Sequence, residues 1–315
     1  MLPETAVVPR RREIAVFVIL AFGIPWLLWV LRRLTGVDAI APGGMLAAGL
    51  ATFVAVRWVR RSRDIRRETA MAPLRPARPL LRYCLIGLLL PLAFGFASIG
   101  IGALAGVYPL DLTGFGALRS TFAPGTVDEQ GMPIGLILSA LAINVGLLLI
   151  LLPLAFCEEW AWRGYLLPVL RPFGLWPALL LSGLIWGLWH LPGFIGSQAA
   201  PRTIPFMITA VFFGVLLGWL RLASGLIWPG VIAHAVNNTL ITGFVNAVFG
   251  SGDLIARSNP WTIGLSGWPG WLVMLAVIAV LVARGALPGR KTGGTANPEP
   301  LRATRTTTPS APSSP

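Results

Sequence analysis

Apolar residues fill eight windows of the chain, each close to the length that crosses a bilayer as a helix. A membrane helix needs about 20 mostly apolar residues. The second window is interrupted near its start by Pro42, Gly43 and Gly44. The pattern predicts an all-α fold, a polytopic membrane helix bundle with about eight transmembrane helices. The windows are 14–31, 38–56, 80–107, 133–157, 175–195, 204–220, 226–248 and 268–284.

The composition supports this class and argues against nucleic-acid binding. Of the 315 residues, 55% are hydrophobic and 12% are charged, and the mean hydropathy is +0.75, whereas soluble domains are about 25% charged. A net charge of +13 would suit a nucleic acid only on one face of a soluble fold, but here the basic residues stand in short blocks between apolar runs. Cys84 and Cys157 provide neither a disulfide framework nor a thiolate zinc site.

The basic blocks predict an orientation. With the N-terminus inside, 20 of the 25 Lys and Arg residues fall in inner segments, as the positive-inside rule requires. We therefore expect a multi-pass protein of the plasma (inner) membrane with both termini cytoplasmic. A single Lys beside 24 Arg indicates a high-GC bacterial gene. The basic block at 57–79 is either a solvated loop or a segment that lies on anionic headgroups.

Two adjacent acids stand inside an apolar helix that is predicted to run from Pro133 to about Leu170. In LLPLAFCEEWAWRGYL, residues 151–166, Glu158 and Glu159 lie about 100° apart on the helix surface and face different neighbours. Glu159 and Arg163 are spaced i,i+4 with the acid first, which is the favoured orientation for an ion pair. Arg163 is therefore expected to neutralise Glu159 and leave Glu158 free.

The only two histidines of the chain lie in later apolar windows. Trp186 precedes His190 by four residues and Asn238 follows His234 by four, so each pair shares one side of its helix. Measured from the cytoplasmic helix ends, Glu158, His190 and His234 lie at depths of about 18, 22 and 12 Å. Polar groups at such depths face a bundle interior or a wet cavity, so these groups are expected to converge.

A carboxylate, two imidazoles and a carboxamide in one cavity suit hydrolysis. Glu158 could take a proton from water with the help of His190, while His234 and Asn238 donate to the oxyanion. A polar network that only stabilises the bundle is one alternative. A proton-coupled transporter is another, because intramembrane Glu and His relay protons, although the two halves show no inverted repeat.

Three motifs in order resemble a known family. EEWAWR (158–163), WGLWH (186–190) and HAVNN (234–238) are similar to the EExxxR, FxxxH and HxxxN signatures of the CAAX protease and bacteriocin-processing (Abi) family of intramembrane endopeptidases, to which the type II CAAX prenyl endopeptidases belong. The resemblance implies that Glu158 activates water with His190 and that His234 and Asn238 form an oxyanion hole. It assigns structural support of the site to Glu159 and Arg163. Trp186 replaces the family's Phe, so we expect a pocket wall of altered shape.

The resemblance also implies a substrate and raises a question about metal. The expected activity is hydrolysis of peptide bonds in membrane-associated peptides or proteins, at a site that opens toward the cytoplasm. Glu158, His190 and His234 could supply three zinc ligands. There is no HExxH helix, however, and Asn238 suits an oxyanion better than zinc, so a metal-free glutamic mechanism is favoured and zinc dependence is the alternative. A degenerate member that acts as a scaffold is a third possibility.

Five segments follow from these predictions. They are a cytoplasmic N-terminus (1–13), N-terminal transmembrane helices with the basic loop (14–130), a protease core (131–248), a loop with the last transmembrane helix (249–285) and a disordered cytoplasmic tail (286–315).

Overall fold

The computed structural model describes residues 11–38, 42–74, 76–197, 199–252 and 259–287. Within these ranges the fold is all-α, with nine α-helices of seven or more residues and no β-strand. Residues 1–10 of the predicted N-terminus and 288–315 of the predicted tail lie outside the described residues. In chain order the helices are α1 (Arg11–Thr35), α2 (Pro42–Phe53), α3 (Ala77–Leu104), α4 (Gly116–Phe122), α5 (Ile134–Glu159), α6 (Leu175–Trp189), α7 (Thr203–Ser224), α8 (Trp228–Val236) and α9 (Trp268–Ala283).

Every predicted apolar window contains a helix, but the helices differ in length. In the described chain α6 and α9 have 15 and 16 residues and reach about 22 to 24 Å, less than the roughly 30 Å of a hydrocarbon core. The structure thus supports a membrane helix bundle with six candidate spans among the described residues, and the predicted count of eight is not confirmed. These spans are Arg11–Thr35, Pro42–Val59, Ala77–Leu104, Ile134–Phe173, Ala200–Ser224 and Trp228–Phe249.

Loops that the charge pattern places on the same side contact one another. On the predicted inner side, the backbone N–H of Ile227 donates to the carbonyl of Ala70 at 3.0 Å. On the predicted outer side, the N–H of Asp111 donates to the carbonyl of Phe249 at 3.0 Å. Ala70 and Ile227 precede α3 and α8, and Asp111 and Phe249 follow them, so these two helices run in the same direction through the bundle.

Small residues let the helices that carry the candidate site approach closely. A Cβ on Gly214 of α7 would lie 2.7 Å from the Cα of Gly183 of α6 and 3.3 Å from a guanidinium nitrogen of Arg163. A larger residue at either glycine would therefore separate α6 from α7. Close backbone approach through small residues is a common way for membrane helices to associate, because lipid gives no hydrophobic drive for their packing.

Two long helices change to π-helical spacing beside the predicted site. α5 continues without interruption into a π-helix at Trp160–Leu166, and α8 continues into a π-helix at Asn237–Val245. A π-helix bonds residue i to i+5 and is found mostly as short insertions, frequently at functional sites. The change of spacing alters which residues share a helix face, so the 3.6-residue repeat does not hold across these segments.

Candidate active site

Glu158 and His190 stand equally far along the chain from Gly174, which places them at a similar depth in the bundle. The continuous helix that includes α5 ends at Phe173, and Gly174 has φ +104°, a conformation that favours glycine and reverses the chain direction. Glu158 then lies on the descending helix and His190 at the end of the ascending α6, each about 24 Å from the break. The Glu158 carboxylate is close enough to interact electrostatically with both His190 and His234.

Glu159 forms the centre of a buried ionic cluster. Its Oε1 accepts a hydrogen bond from Arg163 Nη1 at 2.8 Å and another from His234 Nδ1 at 3.0 Å. The exposed fractions of the three side chains are 0%, 1% and 2%. The predicted Glu159–Arg163 ion pair is therefore present. Its link to His234, on a different helix, was not anticipated from the sequence.

The contacts of Arg163 extend the cluster to α6. Its guanidinium carbon lies 4.6 Å from the centroid of the Trp186 ring, a cation–π distance. Three buried polar atoms of the cluster have no hydrogen-bond partner among the described residues. They are Arg163 Nε, Arg163 Nη2 and Glu159 Oε2. The Oε2 atom lies over Gly230, where an added Cβ would come within 3.2 Å of it. Gly230 thus provides the space that this carboxylate occupies.

Trp186 contacts the candidate base directly. Its indole Nε1–H donates to Glu158 Oε2 at 2.7 Å. Its ring centroid lies 5.7 Å from that of His190 and 5.3 Å from that of His234. Sequence reasoning predicted a pocket wall and missed the hydrogen bond. The available signal was that a buried indole N–H normally finds an acceptor, and that Glu158 is the one of the two adjacent glutamates that the i,i+4 spacing leaves without an arginine.

The apolar window 175–195 predicted that His190 lies inside a helix. In the structure His190 lies just after the last residue of α6. α6 ends at Trp189, and Pro192 has no N–H with which to continue the helical ladder. The imidazole Nδ1 lies 2.9 Å from the carbonyl oxygen of Trp186. A carbonyl oxygen only accepts hydrogen bonds, so Nδ1 carries the proton and Nε2 of a neutral ring keeps its lone pair.

Asn238 is exposed, in contrast to the buried His234. Its Oδ1 accepts a hydrogen bond from Asn237 Nδ2 at 3.1 Å, and this bond, rather than one to Glu158 or to an imidazole, is the one that the structure gives it. The prediction that His234 and Asn238 share one helix face assumed regular α-helical spacing. The helix changes to π-helical spacing at Asn237, so regular α-helical spacing does not hold between His234 and Asn238.

The donor set for a metal is incomplete in this arrangement. In the part of the chain that is described, no group of three or more His, Cys, Asp or Glu side chains is placed to hold a metal ion. Glu158 is hydrogen-bonded to Trp186 and His234 to Glu159. The predicted zinc ligands Glu158, His190 and His234 therefore do not form a three-ligand site in this geometry.

Comparison with known protein families adds an independent observation. Residues 133–240 match the family model described as type II CAAX prenyl endopeptidase Rce1-like. The matched segment contains all of the predicted site residues, from Glu158 to Asn238. No curated protein matches the chain. The match supports the resemblance to the CAAX protease and bacteriocin-processing family and points to an intramembrane endopeptidase.

Proposed function

We propose that this chain, which carries an Rce1-like domain of the CAAX protease family, hydrolyses peptide bonds of membrane-associated peptides or proteins by means of water activated by Glu158. The observation that carries the proposal is the different environment of the two adjacent glutamates. Glu159 is neutralised by Arg163 and His234. Glu158 is equally buried and has no direct ion pair with a described residue, and its hydrogen-bond donor Trp186 contacts both histidines.

The proposed reaction begins with proton transfer to Glu158. The carboxylate takes a proton from a water molecule, and the water oxygen forms a bond to the carbonyl carbon of the substrate. The carbonyl oxygen becomes an oxyanion. When the tetrahedral intermediate collapses, the C–N bond breaks, and Glu158 returns the proton to the leaving amine.

The hydrogen bonds of the two imidazoles assign them different roles. His190 donates from Nδ1 to a carbonyl, so the lone pair on its Nε2 can accept a hydrogen bond from the attacking water. His234 donates from Nδ1 to the carboxylate of Glu159. It can donate from Nε2 as well when it is doubly protonated. His234 is thus suited to stabilise an oxyanion.

Asn238 completes the proposed oxyanion hole through its amide nitrogen. The hydrogen bond from Asn237 occupies Asn238 Oδ1, so Nδ2, which has two N–H groups, stays available to a substrate. The exposure of Asn238 fits a group that meets a substrate arriving from outside the bundle.

We further propose that all eight apolar helices cross the membrane, including the shorter α6 and α9, with both termini in the cytoplasm. The concentration of basic residues in one set of loops supports this orientation. The site would then lie in the membrane and open toward the cytoplasmic face of the plasma membrane. The lipid bilayer and a peptide or membrane-protein substrate are the expected partners, with no role for nucleic acid.

The rival mechanisms make different predictions. A zinc-dependent protease would lose activity on exhaustive chelation and regain it only with Zn²⁺. A proton-coupled carrier would show proton-driven uptake in vesicles that disappears in Glu158→Gln. Neither alternative is favoured by the family match, and a metal-free glutamic mechanism predicts full activity after chelation.

The decisive experiment compares cleavage products by proteomics of cells that express wild type, Glu158→Gln or His190→Ala. Fragments should form with wild type and be absent with both variants. Cys157→Ala is a matched control, because Cys157 adjoins Glu158 in sequence but has no part in the proposed reaction, and it should cleave like wild type. The same fragments in cells that express Glu158→Gln and His190→Ala would refute the proposal.

A further inference from the structure

Nine exposed arginines lie at one end of the bundle, and we call them the basic face. The end of α1 that holds Arg11 and Arg12 is joined to the residues after α2 by the ion pair between Glu13 and Arg60, at 2.6 Å. The first two turns of α3 follow the loop directly. The basic face consists of Arg11, Arg12, Arg57, Arg61, Arg63, Arg66, Arg67, Arg78 and Arg82.

Two of the three described acidic side chains near the basic face pair with an arginine that is not part of it. Glu13 is buried and the side chain of Glu68 is 31% exposed, and both pair with Arg60, which is not part of the face. Glu68 also accepts a hydrogen bond from Ser62 at 2.6 Å. Asp64 is more exposed than Glu68, and it pairs with Arg67. The face therefore keeps a large excess of positive charge.

The loop that carries the central arginines is fixed to the helices beneath it. Trp160 Nε1 donates to Thr69 Oγ1 at 2.8 Å, and Trp228 Nε1 donates to the carbonyl of Met71 at 3.0 Å. The N–H of Ile227 donates to the carbonyl of Ala70. A solvated loop that only sets topology needs no such attachment. These bonds hold the arginines in one arrangement.

Apolar side chains at the same level indicate what the basic face meets. Trp58 is 62% exposed and Leu74 is 52% exposed. Trp58 is next to Arg57 at the end of a candidate span. Trp is enriched where hydrocarbon meets headgroups, and clustered arginines at that level attract anionic lipids. Exposed apolar and cationic groups together fit a lipid surface.

We propose that the basic face binds the headgroups of anionic phospholipids. The loop is attached to Trp160, which follows Glu159 and begins the π-helix of the candidate site. Headgroup binding should therefore also stabilise this part of the site. The lipid binding itself does not depend on the proposed protease activity.

The test uses the full chain in bilayers made of equal parts phosphatidylcholine and phosphatidylglycerol. Spin-labelled forms of each lipid report which one is held at the protein boundary. Arg61, Arg63, Arg66 and Arg78 form no ion pair with a described residue, so they are replaced together by Gln in one variant and by Lys in another. The Lys variant keeps the charge and is the matched control.

For wild type we expect roughly a threefold preference for phosphatidylglycerol at low salt, falling toward parity at high salt. The Gln variant should lose most of the preference and the Lys variant should keep it, while all three unfold at the same temperature in pure phosphatidylcholine. An equal boundary for both lipids in wild type, or an undiminished preference in the Gln variant, would overturn the proposal. Loss of the preference on adding inorganic phosphate at constant ionic strength would show a site for free phosphate instead.

Discussion

Replacing Glu159 with glutamine removes the charge that holds Arg163 and His234 while changing the side-chain volume very little. Because Arg163 is 1% exposed, its charge would stay buried without a directly bonded counter-ion. Breaking a buried ion pair by removing one partner costs about 3 to 5 kcal/mol. The glutamine oxygen could keep one neutral hydrogen bond, worth about 1 kcal/mol. The free energy of unfolding should therefore fall by roughly 2 to 4 kcal/mol.

The same substitution at Glu158 should have a much smaller effect on stability. Glu158 has no direct ion pair with a described residue, and the indole N–H of Trp186 can donate to a glutamine oxygen as it does to the carboxylate. The expected loss is about 1 kcal/mol or less. Cleavage should nevertheless disappear in Glu158→Gln, because an amide cannot take a proton from water.

Unfolding of each variant in mixed micelles, followed by helical circular dichroism as denaturing detergent is added, measures the difference. The transition of Glu159→Gln should move to clearly lower denaturing detergent than that of Glu158→Gln or wild type. Equal shifts for the two variants, or no shift for Glu159→Gln, would refute the inference that one glutamate supports the site and the other performs the reaction.

Three further predictions concern neighbouring groups. Trp186→Phe keeps an aromatic ring but loses the hydrogen-bond donor to Glu158, so the rate of cleavage should fall about tenfold. Trp189→Phe is the control, because it loses an equally buried hydrogen bond to a carbonyl of α1. This variant should cleave like wild type. A methyl group in Gly230→Ala would press on the carboxylate of Glu159 and should lower stability by about 1 to 3 kcal/mol, measured in the same micelle titration. Burial raises the pKa of the Asp111 carboxyl, but backbone N–H groups of its loop outweigh this and hold the pKa below its usual value. The contribution of the ionised Asp111 to stability should thus be complete above about pH 4 and disappear as the pH falls through the lower folded pKa. The unfolding temperature of Asp111→Asn should therefore depend less on pH in this range.

Spacing within one helix predicted one contact of the site correctly. The Glu159–Arg163 pair needs only i,i+4 spacing, and it is present. The prediction that His234 and Asn238 share one helix face used the same i,i+4 rule. The π-helix that begins at Asn237 changes the spacing there. Nothing in the local sequence marks where an α-helix will take up an extra residue per turn, because packing against other helices stabilises that distortion.

The sequence by itself determined the membrane helix bundle, the two sets of loops and the residue types of the site. These properties follow from the length of apolar runs, from charge counts and from spacing within one helix, all of which are local. Only the tertiary structure decided that Trp186 donates to Glu158, that His234 holds Glu159, and that α6 is shorter than its apolar window. Such contacts depend on the rotation and depth of one helix relative to another. Those are set by close packing at small residues, by π-helical segments and by the chain reversal at Gly174, which act together across the whole bundle.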